Sequence, residues 1–190
     1  MSIPHTVSGD VGLSASKTWR SKTIRFFGKL QTGKATRSHV FACIGDDQII
    51  ESLTEVRVDD LAKYDGQDIE IWRPPLDDED RIRFRRGILK MAGDGYGWFK
   101  IPLFAADSVA TAITKPFTGK YVFFFTKTFG ISSFKVCSHL YVYALHHFTK
   151  YRLRGPEPAH EIVNWKTISP DYLADLIAAP HNRFIKKYPF

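Results

Sequence analysis

The chain is poor in cysteine and has no long apolar run. Its 190 residues include two cysteines, Cys43 and Cys137, and neither has a neighbour at Cys-x-x-Cys spacing, so no zinc site of that kind is expected. No apolar run approaches the roughly 20 residues of a membrane span, and residues 1–13 lack the basic-then-apolar layout of a signal peptide. We therefore expect a cytoplasmic protein with two free thiols.

Acidic residues are missing between Asp10 and Asp46. The interval carries only basic charge, from Lys17, Arg20, Lys22, Arg25, Lys29, Lys34 and Arg37. The basic segment 17–37 is either a surface for an anionic partner, such as phospholipid headgroups, a cell-wall polymer or nucleic acid, or a solvated face. No finger spacing or RNP-like aromatic motif accompanies the charge, so we expect no stable nucleic-acid partner. The pattern of residues 16–30 predicts a helix with one apolar and one cationic side.

The length and composition suit a single domain. A chain of 190 residues with 44% hydrophobic and 25% charged residues is large enough to bury one core. The glycine-rich stretch 93–98 lacks both a dinucleotide fingerprint and a phosphate-loop lysine. The remaining pattern predicts a strand at 67–73, a helical turn at 58–62 capped by Asp59, a helix start at 77–80, a helix at 101–113 ended by Pro116, and a buried segment at 121–125.

The stretch 38–51 predicts a β-hairpin with a polar group near each end. Two short apolar runs flank a Gly-Asp-Asp turn, His39 opens the first run, and Glu51 lies near the end of the second. A histidine base and an acidic group that orients it are two parts of a catalytic triad. If His39 and Glu51 belong to a triad, its nucleophile must lie elsewhere in the chain.

The length of the hairpin loop decides whether His39 and Glu51 share a face. A two-residue turn pairs Ile44 with Ile49 and puts Glu51 on the wrong face, whereas a three-residue loop pairs Phe41 with Glu51. A triad therefore predicts the odd-length loop.

Cys137 begins the strongest helical pattern in the chain. Apolar residues recur with it at i+3, i+4, i+7, i+8 and i+11, which is one face of a helix. In the first turn, backbone N–H groups and the helix dipole favour a thiolate and can stabilise an oxyanion. A buried structural cysteine is the alternative at Cys137, and it is the expectation for mid-strand Cys43. His139 and His146 fall opposite the apolar face and are expected to be exposed.

In this order, the residues resemble the circularly permuted branch of the NlpC-like, papain-like cysteine hydrolases. That branch includes the bacterial YiiX-like proteins, with lecithin–retinol acyltransferase as a distant member. In it the histidine strand precedes the cysteine helix. The matching motifs are Gly9-Asp10-Val11, Ser38-His39-Val40, Glu51 on the next strand, Cys137-Ser138-His139-Leu140, and Pro170-Asp171-Tyr172-Leu173.

The resemblance implies an α+β fold in which the cysteine helix packs on an antiparallel sheet, as one domain over 1–190 with its core at about 9–180. It implies a thiol hydrolase or acyltransferase with catalytic Cys137, His39 and Glu51 that needs no metal or organic cofactor. Its expected substrate is a peptidoglycan peptide amide or a lipid acyl group. The cell-wall substrate requires a phage-encoded protein or another export route.

A second hypothesis from a different class remains open. The chain could be a non-catalytic binding protein or virion component that keeps the same fold and uses its basic face on membrane or nucleic acid.

Overall fold

The computed structural model describes residues 5–15, 22, 25–26, 29, 36–95, 100–118, 136–155 and 161–188. Within these ranges the chain is an α+β protein with one six-stranded antiparallel sheet, whose strand order is β4-β3-β2-β1-β5-β6. The strands are β1 (Val11–Ser14), β2 (His39–Gly45), β3 (Gln48–Ser52), β4 (Val56–Asp60), β5 (Ile69–Arg73) and β6 (Ile185–Tyr188). The described helices are α1 (Asp78–Leu89), α2 (Lys100–Thr118), α3 (Cys137–Phe148) and α4 (Pro170–Ala178).

The sheet buries apolar side chains on both faces. Alternate residues such as Leu13, Val40 and Ala42 join a core with α1, α3 and α4. The expected packing of the cysteine helix on the sheet is therefore confirmed. On the other face, Phe41 and Cys43 belong to a smaller cluster that includes residues of the 3₁₀ turn Leu61–Tyr64.

Local polar groups fix where several elements begin. Asp77 caps α1 by accepting a hydrogen bond from the Asp80 backbone N–H at 2.7 Å, in agreement with the acidic helix start expected there. The turn expected at 58–62 is displaced: Asp60 caps the 3₁₀ turn Leu61–Tyr64, and Asp59 stays in β4. Asp59 was the wrong cap because the strand continues one residue further than its pattern indicated.

Two further expectations meet different outcomes. The helix expected at 101–113 is present as α2 but continues through Pro116 to Thr118, so the proline lies in its last turn. The expected core segment at 121–125, residues 96–98 of the glycine-rich stretch, and most of the basic helix at 16–30 lie outside the described residues. Of the described helices, none is long and apolar enough to cross a membrane.

His139 and His146 are buried, so the expectation that both face solvent is wrong. The reason is that α3 has a second neighbour on that side: Ser138 donates to the Ile168 carbonyl at 2.6 Å, and the Trp165 ring meets His139 edge-on at 6.1 Å between centroids. His146 Nε2 accepts a hydrogen bond from the Leu153 backbone N–H at 2.9 Å.

The buried His146 predicts a loss of stability in mild acid. Burial, followed by the charges of Arg152 and His147, lowers the pKa of His146 to about 4 from an ordinary 6.5. Between these values the unfolded chain takes up a proton that the folded chain refuses, so the free energy of unfolding falls as the pH falls. The contribution of His146 is at most about 2 kcal/mol between pH 7.5 and 5.

Urea denaturation of the wild type and of His146→Gln at pH 7.5, 6 and 5 measures this contribution. Glutamine keeps an acceptor for the Leu153 N–H but is not protonated in this range. The free energy of unfolding of the variant should therefore fall less with pH than that of the wild type, by at most about 2 kcal/mol. His5→Gln, at an exposed histidine, serves as the control and should follow the wild type. Parallel declines for the wild type and His146→Gln would contradict the assignment.

Candidate active site

The hairpin places His39 and Glu51 on one face of the sheet, but through a turn and a bulge that the sequence did not predict. The observed register joins Phe41 to Glu51, as the triad requires. The expected three-residue loop is nevertheless wrong, because the turn has two residues and the register shifts between Cys43 and Gly45. Ile44 is the extra residue of this β-bulge, and it restores the parity that a two-residue turn alone would break.

The turn residues explain why the bulge forms. Asp46 and Asp47 have φ values of 55° and 54°, the left-handed conformation that a type I′ turn needs at both central positions. Gly45 has a φ of 89°, which a residue without Cβ adopts at little cost. Gly-Asp-Asp therefore specifies a tight turn preceded by a bulge.

His39 is tied directly to Glu51. Its Nε2 lies 2.8 Å from Glu51 Oε2, and the carboxylate has no exposed surface. This bond identifies Nε2 as the N–H that donates to the carboxylate and leaves Nδ1 as the acceptor for a thiol proton. The first residue of β2 and the fourth residue of β3 thus supply a base and the group that orients it.

Two residues of the 3₁₀ turn hold Glu51 from its other side, and neither was singled out in the sequence. The Tyr64 hydroxyl donates to Glu51 Oε2 at 2.8 Å, and the Lys63 ammonium contacts Glu51 Oε1. Lys63 also contacts Asp59 Oδ2 at 2.8 Å. A turn of four residues is too short to show a side-chain period. The sequence could therefore indicate Lys63 and Tyr64 only through Asp60, the residue that caps the turn.

The burial of this cluster shapes its charges. Burial raises the pKa of the Tyr64 phenol, so the phenol remains a donor, and burial lowers the pKa of the Lys63 ammonium. A buried carboxylate is costly unless it is paired and hydrogen-bonded, and Glu51 has both kinds of partner.

Cys137 lies at the start of α3, within hydrogen-bonding reach of His39. The preceding residue, Val136, offers no side-chain cap, and the backbone N–H groups of Ser138 and Val40 both stabilise the sulfur. Burial raises the pKa of the Cys137 thiol, but the charge and hydrogen bond of His39, with these two amides, outweigh it and lower the pKa overall.

Cys43 has the opposite character. It is fully buried in mid-strand, and burial, followed by the charge of Asp10, raises the pKa of its thiol. The expectation that Cys43 is a core residue is therefore confirmed. The two thiols differ because Cys137 has the His39 ring and helix-start amides beside it, whereas Cys43 is fully buried in mid-strand near the Asp10 carboxylate.

Asp10 and Asp171, from the flanking motifs, act as anchors in the structure. Asp10 is fully buried and accepts two hydrogen bonds from Arg73, at 2.9 Å and 2.8 Å, which ties the entry of β1 to the end of β5. Asp171 accepts from the backbone N–H groups of Thr36 and Arg37, at 2.9 Å and 2.8 Å, just before the strand that carries His39. These motifs place the strands that hold the site.

The three sequence-predicted site residues thus come together from β2, β3 and α3. Chemically, the arrangement joins an activated thiol, a base and an orienting carboxylate. Within the described ranges, no group of three or more His, Cys, Asp or Glu side chains is arranged to hold a metal ion.

The fold of this chain is similar to that of a known structure. The chain resembles the crystal structure of the metalloprotein YiiX (DUF1105) from Escherichia coli O157:H7, with a TM-score of 0.60 and 14% identity over 97% of this chain and 99% of that one. No protein-family model matches the sequence, and no curated protein matches it. At this identity, the similarity shows a shared fold.

The lowered pKa of Cys137 predicts selective alkylation. With a small reagent such as iodoacetamide at pH 6.5, Cys137 should react at least about tenfold faster than Cys43, because only the thiolate is an effective nucleophile. Peptide mapping by mass spectrometry over a pH series measures both rates. His39→Ala should slow the labelling of Cys137 and move its midpoint to higher pH. Equal, slow labelling of both cysteines in the wild type would refute an activated thiol.

Removing the negative charge of Glu51 and removing the positive charge of Lys63 should shift the pH dependence of Cys137 alkylation in opposite directions. Glu51→Gln keeps the hydrogen-bonding shape but removes a negative charge, which disfavours the imidazolium–thiolate pair and shifts labelling of Cys137 to higher pH. Lys63→Met removes the neutralising cation and should shift it to lower pH. At pH 6 we expect the rate of Cys137 alkylation to fall several-fold in Glu51→Gln and to rise several-fold in Lys63→Met. Shifts of the same sign would mean that Glu51 acts only through packing.

Proposed function

We propose that the protein is a cysteine-dependent hydrolase or acyltransferase with a permuted papain-like fold, acting on an amide or ester through an acyl-enzyme. The observation that carries the proposal is the 2.8 Å bond between the His39 ring and the buried Glu51 carboxylate, with Cys137 at a helix start near enough to the same ring for His39 to lower the pKa of its thiol. Residues separated by roughly a hundred positions along the chain meet in the order that a thiol nucleophile requires. The similarity of fold to YiiX agrees with the histidine-first arrangement.

In the acylation half-reaction, the Cys137 thiolate attacks the carbonyl carbon and forms a C–S bond. The helix-start N–H of Cys137 donates to the developing oxyanion. The His39 imidazolium gives its proton to the leaving amine or alcohol as the C–N or C–O bond breaks, and a thioester remains on Cys137.

In the second half-reaction, water or an acyl acceptor loses a proton to neutral His39 and attacks the thioester carbonyl. The C–S bond breaks, the acid or transferred acyl product leaves, and the thiolate–imidazolium pair is restored. Glu51 keeps Nδ1 directed at the sulfur by holding Nε2 through both steps.

The metalloprotein YiiX raises the question of a metal in this chain. His39, Cys137 and Glu51 have side chains of the types that bind metal ions. Both carboxylate oxygens of Glu51, however, already contact His39, Lys63 or Tyr64. An ammonium against one carboxylate oxygen repels a cation at that position. The described residues therefore do not fit a metal, and no step is assigned to one.

The proposed substrates are a peptidoglycan peptide amide and a lipid acyl group. Purified protein incubated with muropeptides and with acylated lipids should release product from one of the two classes. Cys137→Ala should lower the rate at least about a thousandfold, because it removes the group that forms the covalent bond. Mass spectrometry of the quenched reaction should find the acyl group on Cys137.

Cys43→Ala is the matched control, since it removes the other thiol and should retain most of the activity. Turnover by Cys137→Ala equal to that of the wild type would overturn the proposal. Absence of turnover with both substrate classes, together with equal, slow alkylation of both cysteines, would favour the non-catalytic binding protein.

A further inference from the structure

Among the side chains of helix α2 that the structure describes, polar ones are buried and apolar ones are exposed. Its polar residues Asp107, Ser108 and Thr111 are fully buried. Of the large apolar side chains of α2 that the structure describes, Phe117 is 88% exposed and Ile113 is 64% exposed. A helix on a protein surface normally presents the reverse arrangement, so the apolar side of α2 contributes little to the core.

The exposed residues form one continuous row. Val109, Ala112, Ile113, Pro116 and Phe117 are all exposed and recur at i, i+3, i+4, i+7 and i+8, which is a single face of a helix. We call this row the apolar stripe. Single exposed apolar residues need no explanation, but a contiguous row of them marks a surface that binds something.

The charge around the stripe in the sequence has one sign. Between Asp107 and Glu157 the chain has no acidic residue, and it carries Lys115, Lys120, Lys127, Lys135, Lys150, Arg152 and Arg154. The number of these basic residues equals the formal net charge of the whole chain, +7. The interval carries as many basic residues as the basic segment 17–37, and the protein as a whole is cationic.

We propose that the apolar stripe of α2 docks the protein on the surface of an anionic phospholipid bilayer. Phe117 and Ile113 would enter the boundary between headgroups and acyl chains, where an apolar helix face is buried. The net charge of the chain, +7, would add attraction to the anionic headgroups. This inference concerns a different surface from Cys137 and stands independently of the proposed chemistry.

The same charge argues against a second copy of the chain as the occupant. Two copies packed stripe to stripe would each carry a net charge of +7, and the repulsion would oppose the apolar contact. An anionic bilayer complements both properties of the segment at once.

The test is co-sedimentation of the full chain with large unilamellar vesicles. The wild type should bind vesicles of phosphatidylcholine with about 30% phosphatidylglycerol, and binding should weaken with pure phosphatidylcholine or rising salt. Ile113→Glu should weaken binding at least about tenfold, because it places a charge in the apolar stripe. Because Ile113 is exposed, the variant should fold like the wild type, and a matching thermal melt checks this.

Ile82→Glu provides a matched control. Ile82 is also an isoleucine on a helix surface, in α1, and is 52% exposed. The substitution changes net charge identically, so it should weaken binding by less than about threefold. A wild type that ignores anionic vesicles, or equal effects of Ile82→Glu and Ile113→Glu, would overturn the proposal. Light scattering gives a further contrary outcome: a dimer dissociated by Ile113→Glu, without vesicle binding, would assign the stripe to a second copy.

Discussion

A buried carboxylate, Glu51, is the constraint on which the candidate site depends. An ionised carboxylate without solvent is tolerated only if it is paired and hydrogen-bonded, and Glu51 obtains its partners from two elements: His39 on β2, and Lys63 and Tyr64 on the 3₁₀ turn. The Phe41 ring stacks on Tyr64 at 4.4 Å between centroids, so the same turn is fixed by apolar contact. The close approach continues into β1, where a Cβ on Gly12 would lie 2.0 Å from the Phe41 ring. The orientation of His39 is therefore a property of the sheet and of the turn beneath it.

Much of the site could be predicted from the sequence because its parts carry local signals. Cys137 begins α3 as its apolar spacing indicated, since a helix of twelve residues has a strong period. The pairing of Phe41 with Glu51 was predicted from side-chain alternation and the requirements of a triad. The bulge was not predicted, because a loop of three residues and a two-residue turn with one extra strand residue leave the same parity. Function and substrate remain proposals that the resemblance suggested.

The misses share a cause, which is that periodicity shows a pattern but does not show what packs against it. His139 and His146 looked exposed because one face of α3 was sufficient to meet the sheet, whereas residues near Trp165 and Ile168 cover the other. Lys63 and Tyr64 lie in a turn too short to have a period. In α2 the helix was predicted, but the sequence pattern was not used to assign which of its side chains face inward. For α3 and the 3₁₀ turn, the outcome depended on which neighbouring residues pack against the element.

The bulge at Ile44 also limits how this hairpin can change in evolution. A strand has a side-chain period of two, so gaining or losing one residue anywhere between His39 and Glu51 would move the carboxylate to the opposite face of the sheet. Insertions and deletions in this loop should therefore come in even numbers, or be accompanied by the loss of the bulge itself. Among divergent chains that keep both this fold and the bulge, the parity of the spacing between the histidine and the acidic residue would be retained even where the loop sequence is not.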